Sequence, residues 1–232
     1  MTKAETQPDY IGHRERLRQR FLLGGGRDMA DYELLELILT IALPRRDVKP
    51  LAKRLIAKFG SFGEVIKAPL ESLIMIDGIK EHTATVLKII SVATDRCSWQ
   101  SLQSSDTPII LNTDSLIDYC RSAMCYSDVE ELRLIYLNPH LQIIGQETLQ
   151  RGTLNCVAIH PREVIKAAMA NKASAIIMVH NHPSGNVQPS EADIVMTKRV
   201  KEACESIGIK LLEHLVISKN DCYSFAEHIF KP

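Results

Sequence analysis

The stretch SAIIMVHNHPSGNVQPSEAD, from Ser174 to Asp193, carries the reading of this chain. Its first six residues form a short apolar run with Ile176, Ile177 and Val179, the length and composition of a buried strand. The run ends at His180-Asn181-His182-Pro183. In extended backbone, residues two apart project from the same face, so His180 and His182 can present both imidazoles to one point. Ser184 to Pro189 is a loop by its Ser, Gly, Asn and Pro content, and it delivers the chain to Ser190, the N-cap of a helix reaching about Ile207. Asp193 then falls in the first turn, close to where the loop began. Two imidazoles and one carboxylate are the ligand set of a catalytic zinc site, because the fourth tetrahedral position stays open to water. Zn²⁺ lowers the pKa of such a water from about 15.7 toward ~7. The expectation is one Zn²⁺ per chain on His180, His182 and Asp193. Each residue alone has a plainer reading: a strand-end His is ordinarily just hydrogen-bonded, and Ser190 with Asp193 makes a sound helix cap. The joint spacing is what points to a metal.

Outward from this stretch, strands and helices interleave. DSLIDYCRSAM reads as a helix, and LRLIYL and QIIGQETL read as two strands of a hairpin turning at Asn138-Pro139. Pro161 opens a helix through Met169, and KLLEHLVIS is a further strand. The C-terminal part, residues 109–232, is therefore expected to be α/β, a mixed sheet flanked by helices. His160 and His214 stand in strand or strand-end contexts and read as hydrogen-bonded structural residues, with orientation of a metal ligand as the alternative.

Further upstream the apolar period is helical. Leu34, Leu35, Ile38, Leu39 and Ala42 form one stripe, and Leu51, Leu55, Ile56 and Phe59 another. Pro44 and Gly60 stop them, Ser61 with Glu64 reads as a capping box, and Pro69 sits at a helix start. Residues 1–97 are thus expected to be a small all-α domain. SWQSLQSSDTP, residues 98–108, is rich in Ser and Gln and is read as the linker.

The chain has 28 basic and 28 acidic residues among 232, so bulk charge argues for neither a nucleic-acid nor a membrane partner. No apolar run approaches the ~20 residues of a membrane span, and the opening twenty residues hold no signal-peptide core. A cytoplasmic protein without membrane attachment is expected. The six cysteines form no CxxC pair, which fits reduced thiols better than disulfides or a thiolate zinc site.

The spacing His180-x-His182-Pro183-x₆-Ser190-x₂-Asp193 resembles, at every fixed position, the zinc motif of JAMM (MPN-type) metalloproteases. Arg151-Gly152-Thr153-Leu154-Asn155, His160-Pro161-Arg162-Glu163-Val164 and His180-Asn181-His182-Pro183-Ser184-Gly185 are similar to the bacterial RadC family. That resemblance extends to the N-terminal half through Arg14-Glu15-Arg16-Leu17 and Pro44-Arg45-Arg46-Asp47. It implies a zinc metallohydrolase acting on a peptide or isopeptide amide of an unnamed protein substrate. It further implies a glutamate general base ahead of the first apolar strand, and aligning the residue just before LRLIYL selects Glu131, with Glu147 and Glu163 as fallbacks. Ser190 would donate to the oxyanion of the tetrahedral intermediate. Zinc deaminases share this helix-and-sheet layering, but their H-x-E…P-C-x-x-C signature is absent.

Ile76-Asp77-Gly78-Ile79-Lys80-Glu81-His82-Thr83-Ala84 resembles the hairpin of helix-hairpin-helix DNA-binding modules, with Lys80 where a second Gly is usual. A non-Gly residue resists the φ > 0 conformation such a turn can require. Residues 1–100 carry 16 Lys/Arg against 13 Asp/Glu, so duplex-DNA binding by this domain is expected to be weak. The alternative function is accordingly a DNA-associated, repair-related protein whose metal domain is a scaffold or acts on a non-peptide substrate. Homo-oligomerisation through the sheet domain is compatible with either.

Overall fold

The computed structural model describes residues 9–152 and 159–229. Thr153, Leu154 and Asn155 of the Arg151–Asn155 motif lie outside them, as do Cys156 and the opening segment through Pro8. The chain divides into two compact units, Met1–Ala93 and Thr94–Pro232.

The first unit is helical: α1 (Asp9–Gly24), α2 (Asp31–Ala42), α3 (Lys49–Phe59), α4 (Phe62–Lys67), α5 (Leu70–Ile74) and the opening of α6 (Glu81–Gln103). The two apolar stripes meet in one core, where Leu35 and Leu39 of α2 and Leu51 and Leu55 of α3 join Val65, Leu73 and Leu87. Local chemistry sets the boundaries. Gly60 ends α3 with φ +104°, and Ser61 Oγ accepts the Glu64 N–H at 3.2 Å to start α4. In the turn before α6 the left-handed position is Gly78, with φ +93°. Lys80 has no positive φ, since Leu141 and Lys172 are the described non-Gly residues that do. The strain expected at Lys80 is therefore absent, because the turn places its glycine two residues earlier.

The second unit holds α7 (Thr113–Met124), β1 (Glu130–Leu137), β2 (Ile143–Gly152), α8 (Pro161–Ala170), β3 (Ala175–Asn181), α9 (Glu191–Glu205), β4 (Lys210–Ile217), β5 (Cys222–Ser224) and α10 (Phe225–His228). The sheet order is β2-β1-β3-β4-β5; only the β3–β4 pair is parallel, so the sheet is mixed. Every residue of β3 is buried, as a central strand covered on both faces must be. Period-two alternation separates two cores. Ile135, Leu137, Ile177, Val179, Leu215 and Ile217 pack with Leu116, Tyr119 and Met124 of α7. Leu132, Leu134, Tyr136, Ile176 and Met178 pack with Val164 and Ala168 of α8 and Val200 and Cys204 of α9. Helices on both faces of a mixed sheet are the architecture expected for this half.

The segment read as a linker, residues 98–108, is helical in its first part. Helix α6 runs to Gln103, so residues 98–103 are helical and only Ser104 onward leaves regular structure. Trp99 and Leu102, three apart, share a helix face. Leu102 is buried in the α7-side core, and the Trp99 ring lies 5.2 Å from that of Tyr119. The Ser/Gln-rich composition masked this apolar pair. Among the described residues no helix is long and apolar enough to cross a membrane.

Candidate metal centre

Three elements converge on one point. His180 is the penultimate residue of strand β3; His182 follows the strand's last residue, Asn181, and donates its backbone N–H to Ile217 O of β4 at 2.9 Å. Helix α9 contributes Asp193 from its first turn. One ligand atom from each of His180, His182 and Asp193 lies within 4.8 Å of the others. The two Nε2 atoms are 3.0 Å apart, Asp193 Oδ1 is 3.7 Å from His180 Nε2, and Oδ2 is 3.9 Å from His182 Nε2. Tetrahedral zinc with Zn–N near 2.0–2.1 Å requires ligand atoms about 3.3 Å apart, so a small closure of the carboxylate completes the set. The donors therefore fit one Zn²⁺.

Each ligand is held by a partner of its own. His182 Nδ1 lies 2.6 Å from the Asn186 carbonyl oxygen, which can only accept, so the ring proton is on Nδ1 and Nε2 presents a lone pair. Asn186 is placed for this by the loop: its N–H reaches Ser184 Oγ at 3.4 Å, and its side-chain oxygen accepts the Gln188 N–H at 3.0 Å. Gly185, at φ +86°, closes the turn by donating to His182 O at 3.0 Å. Asp193 Oδ2 accepts from Ser190 N at 2.7 Å and Ser190 Oγ at 2.5 Å, while Ser190 Oγ accepts the Asp193 N–H at 3.2 Å. This reciprocal capping box leaves Oδ1 for the cluster. Burial pushes the His180 imidazole down to about 4, against the raising effect of the Asp193 carboxylate. A ring that stays neutral is one that can coordinate.

Thr197 and Asn181 carried no expectation from the sequence, and His214 stands in the ligand-orienting position given above as its alternative. His214 is fully buried on β4, its Nε2 2.7 Å from His180 Nδ1, and Phe225 stacks on its other side with centroids 4.6 Å apart. Burial holds His214 well below the ordinary imidazole range. Thr197 sits one turn after Asp193 and meets His214 Nδ1 at 2.6 Å; the i, i+4 spacing of Asp193 and Thr197 was the available signal. Asn181, between the two ligand histidines and fully buried, accepts the Glu131 N–H at 2.8 Å and donates to Val129 O at 3.1 Å, fixing the start of β1 against β3. His160 is exposed ahead of α8 and has no part in the cluster.

Strand parity separates the two adjacent glutamates at the start of β1. Leu132 pairs with His180 across β1 and β3, and directly opposed residues share a face. Glu131 therefore belongs to the other face, with Arg133 and Ile135. Its carboxylate is 3.0 Å from Arg151 Nε and 3.9 Å from Arg133 Nη2, and it accepts from Ser127 Oγ at 3.3 Å. Glu130, two before Leu132, has the parity of His180. A shift of one residue along a strand exchanges its faces, so Glu130 and Glu131 lie on opposite sides of the sheet. Of the fallbacks, Glu147 accepts the Tyr136 hydroxyl proton at 2.5 Å and Glu163 lies 3.2 Å from Arg162 Nε.

A mixed sheet between helices, with His, His and Asp gathered where β3 passes through a loop into a capped helix, defines a JAB (JAMM/MPN) type domain. Residues 110–230 match the RadC-like JAB domain, and residues 10–85 match the UPF0758 N-terminal domain. A UPF0758 protein of Ruegeria pomeroyi is 44% identical over 219 residues, 94% of this chain and 97% of its own length. Those of Rhodobacter capsulatus and Fusobacterium nucleatum are 46% and 37% identical, over 90% and 96% of this chain and 97% and 98% of their own lengths. The chain belongs to the RadC (UPF0758) family.

Proposed function

We propose that the C-terminal domain is a zinc-dependent hydrolase that cleaves a peptide or isopeptide amide. The observation that carries the reading is the cluster of His180, His182 and Asp193, three protein donors that leave one tetrahedral position over. Zn²⁺, when bound, supplies Lewis acidity that polarises a carbonyl and acidifies water. The chain's own residues do the rest. Glu130, on the His180 face of β1, is the carboxylate assigned to accept a proton from the attacking water and return it to the leaving amine. Glu131, tied to Arg151 and Arg133, stabilises the start of the strand that carries it. Ser190 Oγ donates to Asp193 Oδ2 in this state; rotation about χ1 would release that proton for an oxyanion. The test is metal analysis of purified protein followed by peptide-library cleavage with and without chelator. Cleavage abolished by chelation and restored by Zn²⁺ is the expected result, and chelator-insensitive protein without zinc would refute the reading.

A second reading concerns the helical unit, where the turn Ile76–Lys80 ahead of α6, with Gly78 left-handed, supports a phosphate-backbone contact of the helix-hairpin-helix kind. The near balance of charge in this part of the chain argues that such binding is weak.

A further inference from the structure

We infer that Thr197 and His214 form a hydrogen-bond relay that fixes the proton of His180 on Nδ1 and so presents its Nε2 to the metal. The inference rests on the metal-site reading above and extends it to two residues outside the set His180, His182 and Asp193.

The direction of every proton follows from the acceptor at the far end. Thr197 Oγ is 2.6 Å from the backbone carbonyl oxygen of Asp193, which has no proton to give, so the hydroxyl proton lies there. The same Oγ is 2.6 Å from His214 Nδ1; with its one proton already donated, the hydroxyl can only accept, and His214 Nδ1 must carry a hydrogen. His214 is buried and stacks on Phe225, and among the described residues its ring nitrogens meet Thr197 and His180 and no carboxylate, a setting for a neutral ring. Its Nε2 is then a bare acceptor, and the 2.7 Å contact to His180 is a bond donated by His180 Nδ1–H. His180 Nε2 is left with its lone pair, 3.0 Å from the equally bare Nε2 of His182. Reversing the relay would leave two oxygens 2.6 Å apart with no proton between them and would point an N–H into the metal position.

The relay is built into the fold at three points. Asp193 and Thr197 lie on one face of α9, so one helix both supplies a ligand and orients another. His214 pairs with Met178, two residues before His180 on the neighbouring strand, which gives both imidazoles the same sheet face. Glu213 accepts from His214 N at 2.7 Å, Ser224 Oγ at 2.7 Å and Ala226 N at 3.0 Å, which holds α10 and its Phe225 against the His214 ring.

The experiment uses full-length protein freed of metal and labelled with ¹⁵N-histidine. Long-range ¹H–¹⁵N correlations report the tautomer of each ring, and chelator competition gives the zinc affinity. The expected results are His180 in the Nδ1–H form in the zinc-free wild type, and zinc binding about 10–100-fold weaker in Thr197→Val, as loss of a ligand-orienting bond typically costs. Thr197→Ser, which keeps the hydroxyl, should restore both. His180 in the Nε2–H form in the wild type, or Thr197→Val binding zinc as tightly as wild type with His180 unchanged, would overturn the relay. Should Thr197→Val not fold, the wild-type tautomer decides alone. Failure of the wild type to bind zinc would instead remove the hydrolase reading, and the tautomer measurement separates the two.

Discussion

His180 and His182 bring their Nε2 atoms to 3.0 Å of one another, each ring donating its other nitrogen's proton away from the gap, to His214 and to the Asn186 carbonyl. Two facing lone pairs beside a carboxylate repel unless a cation lies among them, which is the physical content of a metal site formed in advance. Purified protein is therefore expected to hold about one Zn²⁺ per chain by elemental analysis. His182→Ala or Asp193→Ala removes one of three protein donors and should abolish retention through gel filtration. Full occupancy in both variants would contradict the assignment.

Strand parity predicts the outcome at the two adjacent glutamates. Glu130→Gln should keep zinc and lose turnover by ~10²–10⁴-fold, since Gln holds the shape but accepts no proton. Glu131→Gln should keep zinc and most turnover, losing an ion pair to the exposed Arg151 that contributes about 1 kcal/mol or less. An inactive Glu131→Gln beside an active Glu130→Gln would show that the strand start is rotated from the register found here.

Acid should weaken the metal-free fold in a definite window. His180 and His214 both resist protonation in the native state, His180 down to about 4, while unfolded histidines protonate near ~6.5. Below that value the unfolded chain binds more protons than the native one, so stability falls as pH drops from about 6.5 toward about 4. Thermal unfolding in chelator, measured between pH 6.5 and 5 to stay above the main carboxylate range, should show a falling Tm. A flat or rising Tm would mean these rings are protonated in the native state.

Limited proteolysis should respect the end of α6. Residues 98–103 have helical backbone bonds and the buried Leu102, so cleavage is expected between Ser104 and Thr107 rather than across the whole Ser/Gln-rich segment. Mass spectrometry of the first fragments decides; early cuts at Ser98 to Gln100 would show that the last turns of the helix open readily.

Duplex-DNA affinity of the full chain is expected to be weak and salt-sensitive, with Lys80→Glu lowering it equally for unrelated sequences. Sub-micromolar binding that Lys80→Glu leaves intact would place any DNA contact elsewhere.

The sequence by itself determined the candidate ligands His180, His182 and Asp193 and the order of the elements around them. His180, His182, Ser190 and Asp193 belong to one short segment whose strand, loop and cap are local events, governed by backbone periodicity, Pro and Gly punctuation and a capping box. The stripes of α2 and α3, the hairpin of β1 and β2 and the mixed-sheet class were legible for the same reason. Tertiary structure alone decided which residues complete the site. Thr197 and His214 meet His180 only because α9 packs on the sheet and β4 lies parallel to β3, and no spacing along the chain records that distance. Glu130 and Glu131 differ by one residue, and which of them shares the face of His180 depends on the pairing of Leu132 with His180, a register set between strands some fifty residues apart. Trp99 and Leu102 likewise read as part of a polar linker until Tyr119 and the α7-side core supplied the surface that makes burying them favourable.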